Sequence, residues 1–320
     1  MLKLRGGRTL YYGKGDVLSY RTFASPLAVS AIPESTYTGC SNVIFAHNIK
    51  FSVSGESLLP SFTEGDNALV VATDSMKNFI LRQTAEYEGN TTEGLLAFIS
   101  EKFLERYPHL DAVEISADRI PFDAVVVSGG EGGFAPSEVV YRRSRNEHGS
   151  ATMTWQRIGD STELVFHESA LSHIQLIKVH GSSFFGFVRD EYTTLPESFD
   201  RPLFIFLSIS WTYEDASNAI NGDRGRYVPA EQVHDIALTV FHEANTPSIQ
   251  HLIYKMGHRI LKLFPQLAEV RFESNNRTWE TVVEPAAPDS AGVYTEPRPP
   301  YGFQGFTMTR DDLQEQRSET

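Results

Sequence analysis

The sequence contains a single cysteine, Cys40, among its 320 residues. One thiol can form neither an intramolecular disulfide nor a thiolate metal cluster, so the chain is expected in a reducing compartment, by default the cytoplasm. Long hydrophobic runs are also missing, because no stretch of about 18 uncharged apolar residues occurs and no apolar segment follows the basic residues near the N-terminus. The sequence therefore predicts neither a membrane-spanning helix nor a secretion signal.

Positive charge is scarce as well. The 28 lysine and arginine residues are outnumbered by 41 aspartate and glutamate residues, which gives a formal net charge of −13 at pH 7. Such a surface repels a phosphate backbone over most of its area, so nucleic acid is not an expected partner. The composition, 41% hydrophobic and 22% charged, is that of a globular chain. Its length favours two domains.

Sequence motifs for metals, nucleotides and nucleophilic catalysis are absent. His251 and His258 stand seven residues apart on a predicted helix, which is about 10 Å along its axis and too far to share an ion. No phosphate-binding glycine loop or Walker sequence occurs, and the Gly-x-Ser-x-Gly motif of many hydrolases is missing. We therefore expect no protein-bound metal and no nucleotide cofactor.

Two pairs of consecutive helices are predicted, one pair in each half of the chain. In each segment apolar residues recur at helical spacing, and a proline or a short polar residue stands where a helix can begin. The run 69–72 before the first pair has two central valines and predicts a strand. The predicted helices are 74–84, capped by Asp74 or Ser75, 92–107, 229–243, and one that ends near Phe264 after a cap at Thr246 or Ser248.

A short internal repeat indicates duplication. Residues 107–115 and 264–272 both read aromatic-Pro-x-Leu-x-x-Val-x-apolar, and each lies at the end of the second helix of its pair. Alternating strand-like stretches flank both helix pairs. We predict an α+β protein of two tandem ββααββ units, 1–148 and 149–320, with the basic run near Arg142 as the connection and a proline-rich C-terminal arm. The predicted strands are 48–53, 112–116, 124–127, 139–142, 151–155, 174–179, 203–211 and 270–273.

Three polar segments stand out, although each has an ordinary structural explanation. Lys14 lies between two glycines. A lysine in a solvent-exposed turn would show the same pattern. Thr73 and Asp74 lie at a helix start, where free N–H groups favour an anionic ligand but where such residues also serve as caps. The segment 181–201 combines aromatic and charged residues, which is also consistent with sheet packing.

Taken together, these segments resemble the urate oxidase (uricase) family. The stretch 176–201 is similar to the family's signature, and the motifs at Tyr12-Gly-Lys, 70–78 and 248–254 occur in the family's order and approximate spacing. The resemblance extends from Tyr12 to at least Trp279. It implies the tunnelling fold, in which each chain holds two ββααββ units and a homotetramer closes the sheets into a barrel, with active sites at subunit interfaces.

The resemblance also implies an activity. The family oxidises urate with O2 and water to 5-hydroxyisourate and hydrogen peroxide, using neither metal nor organic cofactor. A lysine and a threonine of the family's proton relay correspond to Lys14 and Thr73. Among the implied substrate-binding residues, Phe184 stacks on the purine and Arg201 pairs with one of its edges. The side chain of Gln250 and the backbone of Ile249 also contact the substrate, and Asn276 holds dioxygen or water above the ring. Thr73 and Asp74 contact the substrate from a second subunit.

The third relay position departs from the family pattern. Many members read Asn-x-His-aromatic, and anchoring this motif on Trp279 places Asn276 on the asparagine and Thr278 on the histidine. Anchoring it on Asn275 instead places Arg277 on the histidine. A threonine hydroxyl can donate and accept a hydrogen bond, whereas arginine stays protonated. We therefore assign Asn276 and Thr278 to catalysis.

Two other functions remain compatible with this fold. A non-catalytic protein of the tunnelling fold would bind purines without consuming oxygen, and the sequence does not separate it from an enzyme. A metal-dependent pterin enzyme of the same fold would need a compact site of three histidines, which the spacing of the histidines disfavours.

Overall fold

The computed structural model describes residues 4, 7–129, 132–222, 225–277, 280–287, 290–295 and 299–315. The chain forms two compact units. The first comprises Met1–Ser30, Thr38–Ser169 and Asp215–Tyr227, and the second comprises Ala31–Tyr37, Ala170–Glu214 and Val228–Thr320.

The first unit combines an antiparallel sheet with two main helices. Its elements in chain order are β1 (Tyr12–Thr22), β2 (Leu27–Ala28), β3 (Gly39–Cys40), β4 (Ile44–Ser54), α1 (Leu59–Thr63), α2 (Thr73–Glu86), α3 (Thr92–Arg106), β5 (Ala112–Arg119), β6 (Phe122–Gly129), β7 (Gly133–Arg143), β8 (His148–Ile158), the first half of β9 (Ser161–Lys178), and α4 (Ser217–Ile220). Strands β1, β4, β5 and β8 pair in that order. Helix α2 contacts β1, and α3 contacts β5 and β8, so the helices cover one face of this sheet.

The predicted helix 92–107 is confirmed as α3. The helix begins after Thr91, whose hydroxyl accepts a hydrogen bond from the backbone N–H of Gly94 at 3.0 Å. Its apolar side packs into the core, where the ring of Phe103 meets the ring of Phe51 from β4 edge to face at 4.7 Å between centroids. Burial of these rings stabilises the helix against the sheet.

A histidine lies within the same core. His47 in β4 is fully buried, and its Nε2 lies 3.0 Å from the hydroxyl of Thr92. Burial lowers the pKa of His47 well below its usual range, and the positive charge of Arg119 acts in the same direction. The imidazole is therefore neutral in the folded protein.

The predicted strand at 69–72 is wrong, because these residues form a turn followed by irregular backbone. The backbone of Val71 hydrogen-bonds to the side chain of Tyr12 and not to a neighbouring strand. Its hydroxyl donates to the Val71 carbonyl at 3.1 Å and accepts from the Val71 N–H at 2.8 Å. The apolar run therefore reflects the burial of Val71, not membership of a sheet.

The second unit has the same kinds of element. They are the second half of β9, β10 (Leu203–Tyr213), α5 (Ala230–Glu243), α6 (Ile249–Leu263), β11 (Leu267–Arg277), β12 (Glu280–Val283), β13 (Val293–Thr295), β14 (Gly302–Thr309) and α7 (Asp312–Glu315). Strands β9, β10, β11 and β14 are neighbours in that order. Side chains alternate between buried and half-buried positions along β10, as expected for a strand with one face on a core. Helices α5 and α6 pack together, and α6 contacts β11 and β14.

In each unit the strands of the main sheet and the two longest helices follow the order of two strands, two helices and two strands, and the predicted α+β class with antiparallel pairing is confirmed. The boundaries differ from the predicted ones. The division after residue 148 falls at the first residue of β8, a strand that pairs with β5, whereas the nearest division between the compact units lies between Ser169 and Ala170. Arg142 and Arg143, expected in the connection, pair with β6 in a separate hairpin instead. Sequence patterning located both strands of this hairpin but not their length. It missed β14, which pairs with β11 although it lies in the region expected to be an extended C-terminal arm.

Candidate active site

A cavity of about 260 Å³ opens in the second unit. Its walls come from the segment between β9 and β10, the first turn of α6, and strands β11 and β14. This volume suits a small planar molecule. All five substrate residues predicted in the second unit line the cavity together: Phe184, Arg201, Ile249, Gln250 and Asn276.

Backbone hydrogen bonds position the aromatic and cationic side chains of this site. Phe184 and Ser198 exchange N–H to carbonyl bonds of 2.7 and 2.9 Å, and the N–H of Arg201 donates to the Ser182 carbonyl at 2.8 Å. The guanidinium carbon of Arg201 lies 5.3 Å from the centroid of the Phe184 ring. An aromatic face and a planar cation are thus held side by side.

Arg201 is a half-buried cation. No acidic side chain among the described residues forms an ion pair with it, and its buried Nε has no hydrogen-bond partner there. Burial lowers the pKa of the Arg201 guanidinium, although arginine still stays protonated in proteins. A desolvated charge of this kind is stabilised by an anion that can accept two parallel hydrogen bonds.

The start of α6 presents further polar groups. Ser248 caps the helix, as predicted, by accepting a hydrogen bond from the His251 N–H at 3.2 Å. Ile249 and Gln250 are the first two helical residues, so their N–H groups have no partner within the helix. The hydroxyl of Ser183 donates to the Thr246 carbonyl at 3.2 Å and thereby joins the Phe184 segment to this helix start.

Lys178 at the end of β9 also lines the cavity and was missed by sequence reasoning. Its ammonium donates to three carbonyl oxygens at the end of α5, those of Phe241, His242 and Ala244, at 3.0, 3.3 and 2.6 Å. A cation there offsets the negative end of the helix dipole. Burial lowers the pKa of Lys178. No local sequence signal reveals this contact, because its partners lie more than sixty residues away.

Strands β11 and β14 contribute an amide pair to the cavity. The Nε2 of Gln304 donates to the Oδ1 of Asn276 at 3.0 Å, and the hydroxyl of Ser274 donates to the Oε1 of Gln304 at 3.1 Å. Gly302 lies opposite Asn276 in the strand register. A Cβ atom at Gly302 would lie 2.9 Å from the Asn276 oxygen, so the missing side chain leaves room for the amide. Gln304 was likewise missed by the sequence analysis.

The alternative relay residue Arg277 faces a different environment. Its guanidinium carbon lies 4.4 Å from the ring centroid of Phe206 and 5.1 Å from that of Tyr301. Arg277 does not line the cavity that contains its neighbour Asn276, as expected for adjacent residues of one strand. Thr278 lies outside the described residues, so its assignment stays a prediction.

The remaining predicted residues belong to the first unit. Lys14 and Thr73 are both half-buried. Lys14 lies two residues after Tyr12 and Thr73 lies two residues after Val71, and Tyr12 and Val71 are hydrogen-bonded to each other. Asp74 is exposed. A hydrogen bond from Lys77 and the charge of Lys77 lower the pKa of the Asp74 carboxyl, and the charge of Lys14 adds to this. Lys14 therefore lies within electrostatic range of the start of α2.

Within the part of the chain that the structure describes, no three histidine, cysteine, aspartate or glutamate residues form a group that could hold a metal ion. No helix in that part has the length and apolar character needed to cross a membrane.

Comparison with known proteins matches this chain to one family. The Uricase family model matches residues 34–152 and 167–304. The chain is 51% identical, over 97% of its length, to the uric acid degradation bifunctional protein of Bacillus subtilis. It spans about three fifths of the length of that protein and of its Bacillus sp. TB-90 counterpart.

Shorter relatives are covered almost completely. The identity to the uricase of Haloferax volcanii is 50%, over 95% of this chain and 99% of that one. The crystal structure of a uricase from Bacillus fastidious matches with a TM-score of 0.92 and 53% identity, over 97% of each chain. The family match over most of the sequence, and the likeness to these full-length relatives, show that this chain belongs to the uricase family.

Proposed function

We propose that this protein is a urate oxidase that converts urate, O2 and water to 5-hydroxyisourate and hydrogen peroxide without a metal or organic cofactor. The reaction balances within its own reactants. Urate and water together give up two electrons and two protons to dioxygen, which becomes hydrogen peroxide, while the oxygen of water adds to the purine ring. The protein has to bind a flat anion, orient it towards dioxygen and move protons.

The observation that carries this proposal is the half-buried Arg201 beside the Phe184 ring, with no acidic partner among the described residues. Urate is a planar anion with carbonyl and N–H groups along its edges. An aromatic face suits its ring, and a guanidinium can form two parallel hydrogen bonds with one edge. The family relationship and the names of the relatives, uricase and uric acid degradation protein, support urate as that anion.

The other cavity residues supply the remaining contacts. The side-chain amide of Gln250 can both donate and accept, which suits the alternating groups of the pyrimidine part of urate. The N–H of Ile249, free at the start of α6, can donate to a carbonyl of the substrate. Asn276 offers an amide for dioxygen or water above the ring. These contacts fix the substrate without a metal.

We assign the proton relay to Lys14 and Thr73, with Thr278 as the third member. The ammonium of Lys14 would lower the cost of deprotonating the Thr73 hydroxyl. Thr73 and Asp74 would contact the five-membered ring of a urate held by another subunit. We further propose the tunnelling fold and a homotetramer whose barrel closes the open edges of the sheets. We also propose a cytoplasmic location, which the single thiol supports.

The test follows urate absorbance and dissolved oxygen together in protein treated exhaustively with a chelator. We expect urate and oxygen to disappear in equal amounts, with hydrogen peroxide formed and no effect of the chelator. Purine binding without oxygen consumption would show instead a non-catalytic purine-binding protein of the same fold. Activity that is lost with the chelator and returns with one added metal would contradict the cofactor-free mechanism.

A further inference from the structure

The proposed function gives no role to Gln304, although this residue lies in the cavity wall and contacts Asn276. We propose that Gln304 is a positioning residue that fixes the amide of Asn276, so that Asn276 offers N–H groups, and not its carbonyl, to the reacting oxygen species. The proposal rests on the proposed function for its substrate, because dioxygen, water and peroxide are the species that would meet this amide.

The direction of the hydrogen bonds carries the argument. The hydroxyl of Ser274 is 3.1 Å from the Oε1 of Gln304, and Ser274 is buried with an exposed fraction of 5%. In the structure this bond uses the Oε1 end of the Gln304 amide as the acceptor, and the Nε2 end faces Asn276. There it donates to Oδ1 at 3.0 Å. The donors therefore run in the order Ser274, Gln304, Asn276, and in this arrangement the orientation of the Asn276 amide is coupled to that of the Gln304 amide.

The space around the pair keeps this arrangement in place. Gly302 stands opposite Asn276 on β14, and Gln304 stands opposite Ser274 two residues further along. A Cβ atom at Gly302 would meet the Asn276 oxygen at 2.9 Å and the Gln304 nitrogen at 3.6 Å. The strand therefore provides a gap in which the two amides meet directly.

The chemical consequence follows from the shape of an amide. Its oxygen and nitrogen ends are nearly equal in size, so only its hydrogen-bond partners decide which end faces a ligand. Dioxygen, peroxide and the oxygen of water present lone pairs, which require a donor. An Asn276 whose carbonyl already accepts from Gln304 offers its N–H groups. Without Gln304 the amide can rotate and present an acceptor to another acceptor.

Two substitutions of similar size test this inference. Gln304→Met removes both hydrogen bonds without adding charge, and we expect kcat for urate to fall about tenfold, the loss expected for one hydrogen bond. KM should change little, because Arg201 and Phe184 still hold the purine. Gln304→Glu keeps the bond from Ser274 but turns the end that faces Asn276 into an acceptor. It should reverse the Asn276 amide and lower kcat about a hundredfold, as for a lost oxyanion donor.

The pH profile separates positioning from a structural role. The carboxyl introduced by Gln304→Glu regains a donor when it is protonated, so its kcat relative to wild type should rise as the pH falls. Gln304→Met should show no such recovery. Gln156, half-buried in β8 of the first unit, provides matched control variants Gln156→Met and Gln156→Glu, which should keep wild-type kcat.

The outcomes distinguish this inference from the proposed function. Absence of urate turnover in the wild-type protein would reject the proposed function itself. Wild-type turnover together with unchanged kcat in both folded Gln304 variants would reject the positioning role. A rise in KM alone for Gln304→Met would reject it too, because it would make Gln304 part of substrate binding. Equal losses in the two variants at every pH would show that only packing was disturbed.

Discussion

Replacement of Arg201 should affect stability and ligand binding in opposite directions. In the free protein the guanidinium is half-buried and its Nε has no hydrogen-bond partner among the described residues. The free-energy cost of removing this charge from water is therefore not offset. Arg201→Met removes that charge but keeps most of the apolar stem, and the backbone bond to Ser182 remains. We expect the free energy of unfolding to rise by about 1 kcal/mol, because an incompletely paired buried charge is replaced by an apolar group.

Binding should weaken at the same time. Hydrogen bonds to charged groups contribute about 1.5 to 3 kcal/mol each, and a guanidinium can make two to one edge of a purine. Arg201→Lys keeps the charge but not the planar pair of donors, so we expect a loss of about 2 kcal/mol, roughly thirtyfold in Kd. Arg201→Met should lose more than a hundredfold, about 3 kcal/mol.

Calorimetric titration with xanthine, a planar purine, measures the Kd, and urea unfolding measures the stability. Arg189 provides the matched control, because it also lies near an aromatic ring in the same segment, 5.6 Å from the Phe187 centroid, but is exposed. Arg189→Lys should leave xanthine binding unchanged. An unchanged Kd in Arg201→Lys, or a lower stability in Arg201→Met, would refute the reasoning.

Three further predictions concern an anchor, a buried titratable group and the subunit interface. Lys178→Met should lower the free energy of unfolding by about 2 kcal/mol in urea, because the carbonyls at the end of α5 lose a charged donor, whereas Lys255→Met, at an exposed position of α6, should not. His47 is neutral in the folded protein, so the free energy of unfolding should be highest above the unfolded-state pKa of about 6.5 and fall by up to about 1.4 kcal/mol per pH unit below it. Urea unfolding at pH 7.0 and 5.5 measures this slope, and an unchanged slope in His47→Gln would contradict the prediction. If subunits share each site, mixing inactive Thr73→Val and Arg201→Gln chains one to one and reassembling them should restore about a quarter of the sites, because only half the pairs are hybrid and each has one intact site; no recovery in proven mixed oligomers would place the site within one chain.

Much of the fold could be predicted from local patterns. The apolar spacing in 92–107 and the Ser248 cap of α6 are properties of short segments, and the structure agrees with both. The segment 69–72 shows the limit of this reasoning. Its valines indicate a strand, but Val71 hydrogen-bonds to the side chain of Tyr12, 59 residues earlier, and no local pattern encodes such a partner.

The candidate site was predicted through resemblance, and the same limit applies to it. Phe184, Arg201 and Gln250 belong to segments that resemble sequence motifs of the uricase family, and the structure places the three residues in one cavity. Lys178 and Gln304 have no such signature. Each acts through groups on another element, at a separation of 28 to 66 residues, so only the folded arrangement reveals them.

The backbone bonds around Phe184 and Arg201 have a consequence for how this protein can change over generations. Phe184 is held through its own N–H and carbonyl, and Arg201 through its N–H, so neither attachment depends on the identity of the side chain. Any residue that has a backbone N–H and tolerates the same backbone conformation can therefore keep these hydrogen bonds at either position. Ligand preference can therefore be altered by single exchanges at these two positions, while selection for a stable fold acts mainly on the strands and helices behind them.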